Sequence, residues 1–208
     1  MNKGNFIVFE GMDGTGKSTQ IKLLAEALSK KERECLVLRE PGGTPPGEQM
    51  REILKHSTSP LSSMTELLLM NASRAQLVAT VIQPALDAGK DVLLDRYFYS
   101  TIAYQAFGRD LPFEIVKNVI DAAIQGCEPS HLFLIKIPLS TCLERRRSRQ
   151  ATLPFKTELV DRFESENQKF FAKVEAGYAY VEQQYKPIVI DGHKSITDIH
   201  DLVLKGLL

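Results

Sequence analysis

Gly11-Met12-Asp13-Gly14-Thr15-Gly16-Lys17-Ser18 fits the spacing G-x-x-x-x-G-K-[ST], and each residue type in it suits the holding of phosphate. Glycines permit backbone conformations closed to other residues, so successive N–H groups can turn inward around an anion. The apolar run Phe6-Ile7-Val8-Phe9 precedes the loop, and an amphipathic helical pattern follows Thr19. A helix starting there adds its positive N-terminal end to the cradle. Lys17 is then placed to reach β- and γ-phosphates, and the Ser18 hydroxyl to join a Mg²⁺ shell. A Gly-rich turn with an exposed lysine is the plain alternative, and the flanking strand and helix weigh against it.

Further along, Asp95-Arg96-Tyr97 ends the apolar run Val92-Leu93-Leu94. Ligands of open parallel sheets sit outside the carboxyl ends of the strands. A carboxylate there can hold Mg²⁺, directly or through water, and the adjacent Arg96 can clamp a second phosphate. Taken alone, the pair could equally be a surface ion pair. Glu40-Pro41-Gly42-Gly43-Thr44 ends another strand and reads either as a tight turn or as part of a site. Arg74 lies in the most apolar helical stretch, where a guanidinium is either paired internally or facing a cavity. Glu144-Arg145-Arg146-Arg147-Ser148-Arg149 is a solvated basic face or, beside a phosphate site, the arginine-rich part of a closing lid.

The elements that must position these residues alternate. Strands are expected at Phe6–Phe9, Cys35–Leu38, Asp91–Asp95, His131–Ile137 and Pro187–Ile190. Helices are expected at 18–29, 47–56, 64–86 with Pro84 in the last turns, near 99–107, from 111 or 112 to about 125, 139–149, 158–185 and 196–208. Gln150 to Thr157 breaks the pattern, and Gly177 weakens the middle of the long charged helix around it. Such alternation gives an α/β fold with a parallel sheet covered on both faces. The 208 residues suit one domain with a small lid at about 145–162.

Composition narrows the setting. With 26 basic and 26 acidic residues, nothing points to nonspecific nucleic-acid binding or a polybasic membrane anchor. Cys35, Cys127 and Cys142 are scattered without metal-ligand spacing, as reduced thiols of a cytoplasmic protein would be. The residues ahead of the first strand are too few for a signal peptide, and no segment has the length of a membrane span.

Taken together the chain resembles the thymidylate kinases of bacterial type over nearly its whole length. The resemblance is carried by FEGMDGTGKST, REPGGTPPGEQMRE, NASRAQLV, VIQPALDAGKDVLLDRYFYSTIAYQ and DRFESENQKFFAKVEAGY. It implies a five-stranded parallel sheet flanked by helices, transfer of the ATP γ-phosphate to dTMP with Mg²⁺, and a homodimer. It also implies roles for particular residues. Asp13 would sit near the acceptor's sugar hydroxyl and phosphate, with Glu40 lining the same site. Arg51 and Arg96 would hold the acceptor phosphate, and Arg74 the base. Thr101 and Gln105 would lie at the base edge, and Tyr104 against the deoxyribose.

At position 14 some family members carry an arginine for the transferred phosphoryl group; here it is glycine. The charge is then expected from the lid, with Arg149 first and Arg145, Arg147 or Arg162 behind it. At position 70, where the family usually stacks a phenylalanine on thymine, this chain has methionine. Looser base selection, extending to dUMP or another deoxynucleoside monophosphate, is therefore the first alternative. A slowly hydrolysing nucleotide switch is the more distant one, and the guanine-reading N-K-x-D motif is missing from the sequence.

Overall fold

The computed structural model describes residues 3–151, 162–163 and 166–207, without the side chains of residues 146, 147 and 149–151. The elements run β1 (Phe6–Glu10), α1 (Lys17–Ser29), β2 (Cys35–Arg39), α2 (Pro45–His56), α3 (Ser63–Leu77), α4 (Gln83–Asp87), β3 (Asp91–Asp95) and α5 (Phe98–Thr101). They continue with α6 (Phe113–Ile124), β4 (His131–Lys136), α7 (Leu139–Ala151), α8 (Gln168–Tyr185), β5 (Ile188–Asp191) and α9 (Ile196–Lys205).

The strands form one five-stranded sheet in the order β2-β3-β1-β4-β5, with every pair parallel. Side chains alternate across a strand, and the core divides accordingly. Phe6, Val8, Val92 and Leu94 pack on one face with α3, α6 and the segment after β3. Ile7, Phe9, Leu93 and Ile135 pack on the other with α1 and α9. The α/β class and the sheet buried on both faces are as the alternating pattern predicts.

Three local departures matter. The long apolar helix is interrupted by a π-helical turn, Val78–Ile82, just before Pro84. Proline has no N–H to give the carbonyl four residues back, and a widened turn accommodates that loss. A second π-helical stretch, Ile102–Gly108, continues α5 and carries Tyr104 and Gln105. Third, α8 begins at Gln168 rather than 158, because the Asn167 side chain caps it by accepting from the Phe170 N–H at 3.0 Å. Arg162 and Phe163 lie in a turn, and residues 152–161 fall outside the described residues.

The helix α8 runs unbroken through Gly177, which lets it approach its neighbour closely. A Cβ there would stand 2.6 Å from the Ala103 Cα. The contact seats α8 against the π-helical stretch that bears Tyr104 and Gln105.

Candidate active site

Parallel register brings the site together at the carboxyl edge of the sheet. Phe9 of β1 pairs with Asp95 of β3, and Arg39 of β2 pairs with Asp95 from the other side. The loop after β1, the Glu40 turn after β2 and Asp95-Arg96 after β3 therefore open into one hollow. That cavity, of about 510 Å³, is lined by Asp13, Gly14, Gly16, Lys17, Ser18 and Thr19 on one side. Glu40, Arg51, Met70, Arg74, Asp95, Arg96, Thr101, Tyr104 and Gln105 line the other. Gly11, Met12 and Thr15 do not line it and instead shape the loop.

Gly11, Gly14 and Gly16 all have positive φ, and a Cβ on Gly11 would meet the Ile135 carbonyl oxygen at 2.3 Å. Thr15 Oγ1 donates to the Met12 carbonyl at 3.0 Å, closing the loop on itself. Lys17 is buried, and its Nζ donates to the carbonyls of Gly11 and Met12, each at 2.9 Å. Burial and then the Arg96 charge push its pKa below the ordinary lysine value. A cation held by carbonyl dipoles in that setting gains most from an anion brought alongside. Ser18 Oγ donates to Asp95 Oδ2 at 2.7 Å. A hydroxyl and a carboxylate beside a phosphate loop suit Mg²⁺, which takes a few protein oxygens and fills its shell with water and phosphate.

Arg96 adopts φ 69° at the end of β3, a left-handed conformation uncommon outside glycine. Its Nη1 donates to Ser100 Oγ and Tyr178 Oη at 2.9 Å, and Nη2 to Asp13 Oδ1 at 2.8 Å. Burial opposes its charge, but Tyr104, Tyr178, Asp13 and Glu10 outweigh that and hold it protonated. Arg51 Nη1 donates to the Pro41 carbonyl at 2.8 Å, at the cavity wall.

Arg74 meets both alternatives open to it. It is paired internally: Nε donates to Glu40 Oε2 at 2.8 Å, Nη2 forms an ion pair with the same oxygen at 2.7 Å, and Nη1 donates to Asn71 Oδ1 at 2.6 Å and Thr101 Oγ1 at 3.0 Å. It also faces the cavity. Glu40 Oε1 is buried without a hydrogen-bond partner. Burial pushes the Glu40 carboxyl up to about 7, against the pull of Arg74. The Glu40-Pro41-Gly42-Gly43 segment bends away from the end of β2, and its Glu40 and Pro41 form part of the cavity wall. It is tied down by Gly42 N–H on Ser73 Oγ and Gly43 N–H on Glu48 Oε1.

Of the arginines expected to serve a lid, Arg145 Nη1 donates to the Gly14 carbonyl at 2.9 Å, which ties α7 to the glycine-rich loop. Arg162 is drawn elsewhere, its Nε on the Leu54 carbonyl and Nη2 on Glu66. The side chains of Arg147 and Arg149 lie outside the described residues.

Sequence reasoning passed over several side chains that organise the site. Glu10 is fully buried and accepts from the Tyr97 and Ser100 N–H groups, Ser100 Oγ and Tyr178 Oη. It anchors the turn from β3 into α5 and, through Tyr178 and Ser100, the Arg96 guanidinium. Its signal was a carboxylate closing an apolar strand, as Asp95 does on β3. Phe163, which lines the cavity edge-on to Tyr104 at 6.2 Å, gave no periodic signal.

A phosphate loop at the carboxyl edge of a parallel sheet, facing an arginine-rich hollow beneath a helix, defines a P-loop protein of the nucleoside monophosphate kinase fold. More specifically, residues 9–203 match the family model for thymidylate kinase, and the chain belongs to that family. A thymidylate kinase from Chlorobaculum parvum is 42% identical over 97% of this chain and 94% of its own. One from Caldanaerobacter subterraneus subsp. tengcongensis is 41% identical over 99% of this chain and 95% of its own. The crystal structure of thymidylate kinase from Ehrlichia chaffeensis superposes with a TM-score of 0.77 at 29% identity, covering 99% of both chains.

Proposed function

We propose that this protein transfers the γ-phosphoryl group of ATP to dTMP, giving dTDP and ADP. The observation that carries the reading is the single cavity shared by the phosphate loop and by Arg96, Arg74, Thr101, Tyr104 and Gln105. In this reading Gly11 to Thr19 cradle the ATP phosphates, and Lys17 leaves its loop carbonyls for the β- and γ-oxygens. Ser18 and Asp95 hold Mg²⁺, which neutralises phosphate charge when bound. Arg96 and Arg51 hold the acceptor phosphate, with Asp13 beside it. Tyr104 packs on the deoxyribose; Arg74, Thr101, Gln105 and Met70 surround the base, with Glu40 behind Arg74.

Phosphoryl transfer needs positioning and charge neutralisation rather than a covalent enzyme intermediate. Arg145 at Gly14 supports a lid that brings cations to the loop, and Arg149, further along α7, is the arginine we assign to the transferred group. The chain would act as one domain, with a lid at about 145–162, in the cytoplasm; among the described residues no helix is long and apolar enough to cross a membrane. A homodimer is supported by exposed Ile53, Leu68 and Ile115 on the neighbouring helices α2, α3 and α6.

Coupled ADP release with a panel of nucleoside monophosphates tests the activity. Turnover with dTMP should stand well above that with dCMP, dAMP or dGMP. ADP release that ignores the acceptor would overturn the reading.

A further inference from the structure

Glu66 belongs to none of the recognised motifs, yet it is fully buried in α3. A carboxylate in that position must be matched by donors on every side. Its Oε1 accepts from Gln105 Nε2 at 2.8 Å and its Oε2 from Arg109 Nη2 at 3.0 Å and Arg162 Nη2 at 2.5 Å, while Arg109 Nε lies within reach of both oxygens, at 3.1 and 3.2 Å. Arg109 pairs in addition with Glu166.

A carboxylate has only lone pairs to offer, so the only end of the Gln105 amide it can hold is the NH₂. The end left for the cavity that Gln105 lines is Oε1, an acceptor. We propose that Glu66 is a positioning residue for base selection: by holding Gln105 Nε2 it turns Oε1 toward the acceptor base, favouring a ring that presents N–H there over one that presents a lone pair. Thymine has N3–H, and cytosine has a bare N3. The inference rests on the cavity being the thymine site proposed above. The same carboxylate also steadies an apolar wall, since the Arg109 and Arg162 guanidinium carbons lie 5.9 and 5.2 Å from the Phe163 ring centre.

Glu66→Gln gives a directional result. The two arginines demand the one remaining carbonyl oxygen at position 66, so the new NH₂ faces Gln105. Gln105 must answer with Oε1 and turn Nε2 into the cavity. The ratio of kcat/KM for dTMP to that for dCMP should fall tenfold or more, mostly through a loss with dTMP. Gln105→Met should lower the ratio by itself, and adding Glu66→Gln to it should lower the ratio no further. Should Glu66→Gln not yield folded protein, Glu66→Asp keeps the charge for both arginines while withdrawing from Gln105, and should lower the ratio at least threefold.

Equal losses with dTMP and dCMP in the folded variants would mean that Glu66 only supports the fold, and the proposal falls while the thymine site stands. A wild-type protein with no preference for dTMP over dCMP removes the thymine site and this proposal together.

Discussion

The two halves of the cavity are built on different principles. The phosphate loop is local: the Thr15 and Lys17 side chains donate to loop carbonyls only a few residues away. The half proposed to hold the acceptor is assembled from side chains far apart in the chain. Arg74 meets Glu40 and Thr101, Arg96 meets Asp13 and Tyr178, and Gln105 meets Glu66, all in buried or half-buried ion pairs and hydrogen bonds. A donor cradle made of backbone can lose a side chain without losing its shape. A wall made of paired buried charges cannot, because each removal strands a buried partner.

The sharpest test of that contrast pairs Lys17→Ala with Arg96→Ala. Lys17→Ala should cut kcat by about a thousandfold or more, as loss of a cation at the transferred phosphate does. Its melting temperature should be unchanged or higher, since a desolvated charge has been removed. Arg96→Ala should lower kcat/KM for dTMP by about a hundredfold or more and also cost about 2 kcal/mol of stability, a drop of roughly 4–8 °C. Calorimetry and steady-state kinetics on the same preparations measure both. A stable Arg96→Ala protein with wild-type kcat/KM would erase the distinction between the halves.

Glu40 sharpens the comparison through pH. Its carboxyl is held near 7 by burial, above the ordinary 4.5. Between those values the folded chain binds more protons at Glu40 than the unfolded chain does, so its contribution is full below about 4.5 and is lost as pH rises toward 7. Wild-type stability relative to Glu40→Gln should therefore fall across that window, by up to about 3 kcal/mol at 1.36 kcal/mol per unit. Urea melts of both proteins from pH 4.5 to 7.5 provide the measurement. Parallel curves would mean that Arg74 keeps the carboxyl ionised and that burial does not win.

The same contrast explains what could be read from the sequence. The phosphate loop, the strands and the Asp95-Arg96 turn are contiguous patterns, and a run such as Val92-Leu93-Leu94 announces its own burial. Glu10 and Glu66 could not be read that way. A lone carboxylate beside apolar residues has no period, and its partners Tyr178, Arg109 and Arg162 are fixed only once the sheet and α8 are in place. The start of α8 lies later than the sequence pattern suggests for a related reason: charge and propensity continue upstream of Gln168, whereas the Asn167 cap is a single side-chain contact. The π-helical stretches needed geometry too, since Ile102–Gly108 has an ordinary helical composition.

The smallest effect falls at Met70, where the acceptor wall has a flexible thioether in place of the aromatic ring usual in the family. Met70 is half-buried and lines the cavity one helical turn before Arg74. A thioether gains something against a ring but is adaptable in shape. A phenyl group stacked on a base adds about 0.5–1.5 kcal/mol beyond its area, offset in part by what the thioether already gives. Met70→Phe should therefore lower KM for dTMP by roughly two- to fivefold with little change in kcat, the signature of binding gained equally in ground and transition states. The Gln105 amide would still be held by Glu66, so the dTMP to dCMP ratio should stay near its wild-type value: stacking favours any flat ring, whereas hydrogen bonding chooses among them. If Met70→Phe instead shifts that ratio as strongly as Glu66→Gln, then residue 70 sets the tilt of the base, and selection is not carried by the amide alone.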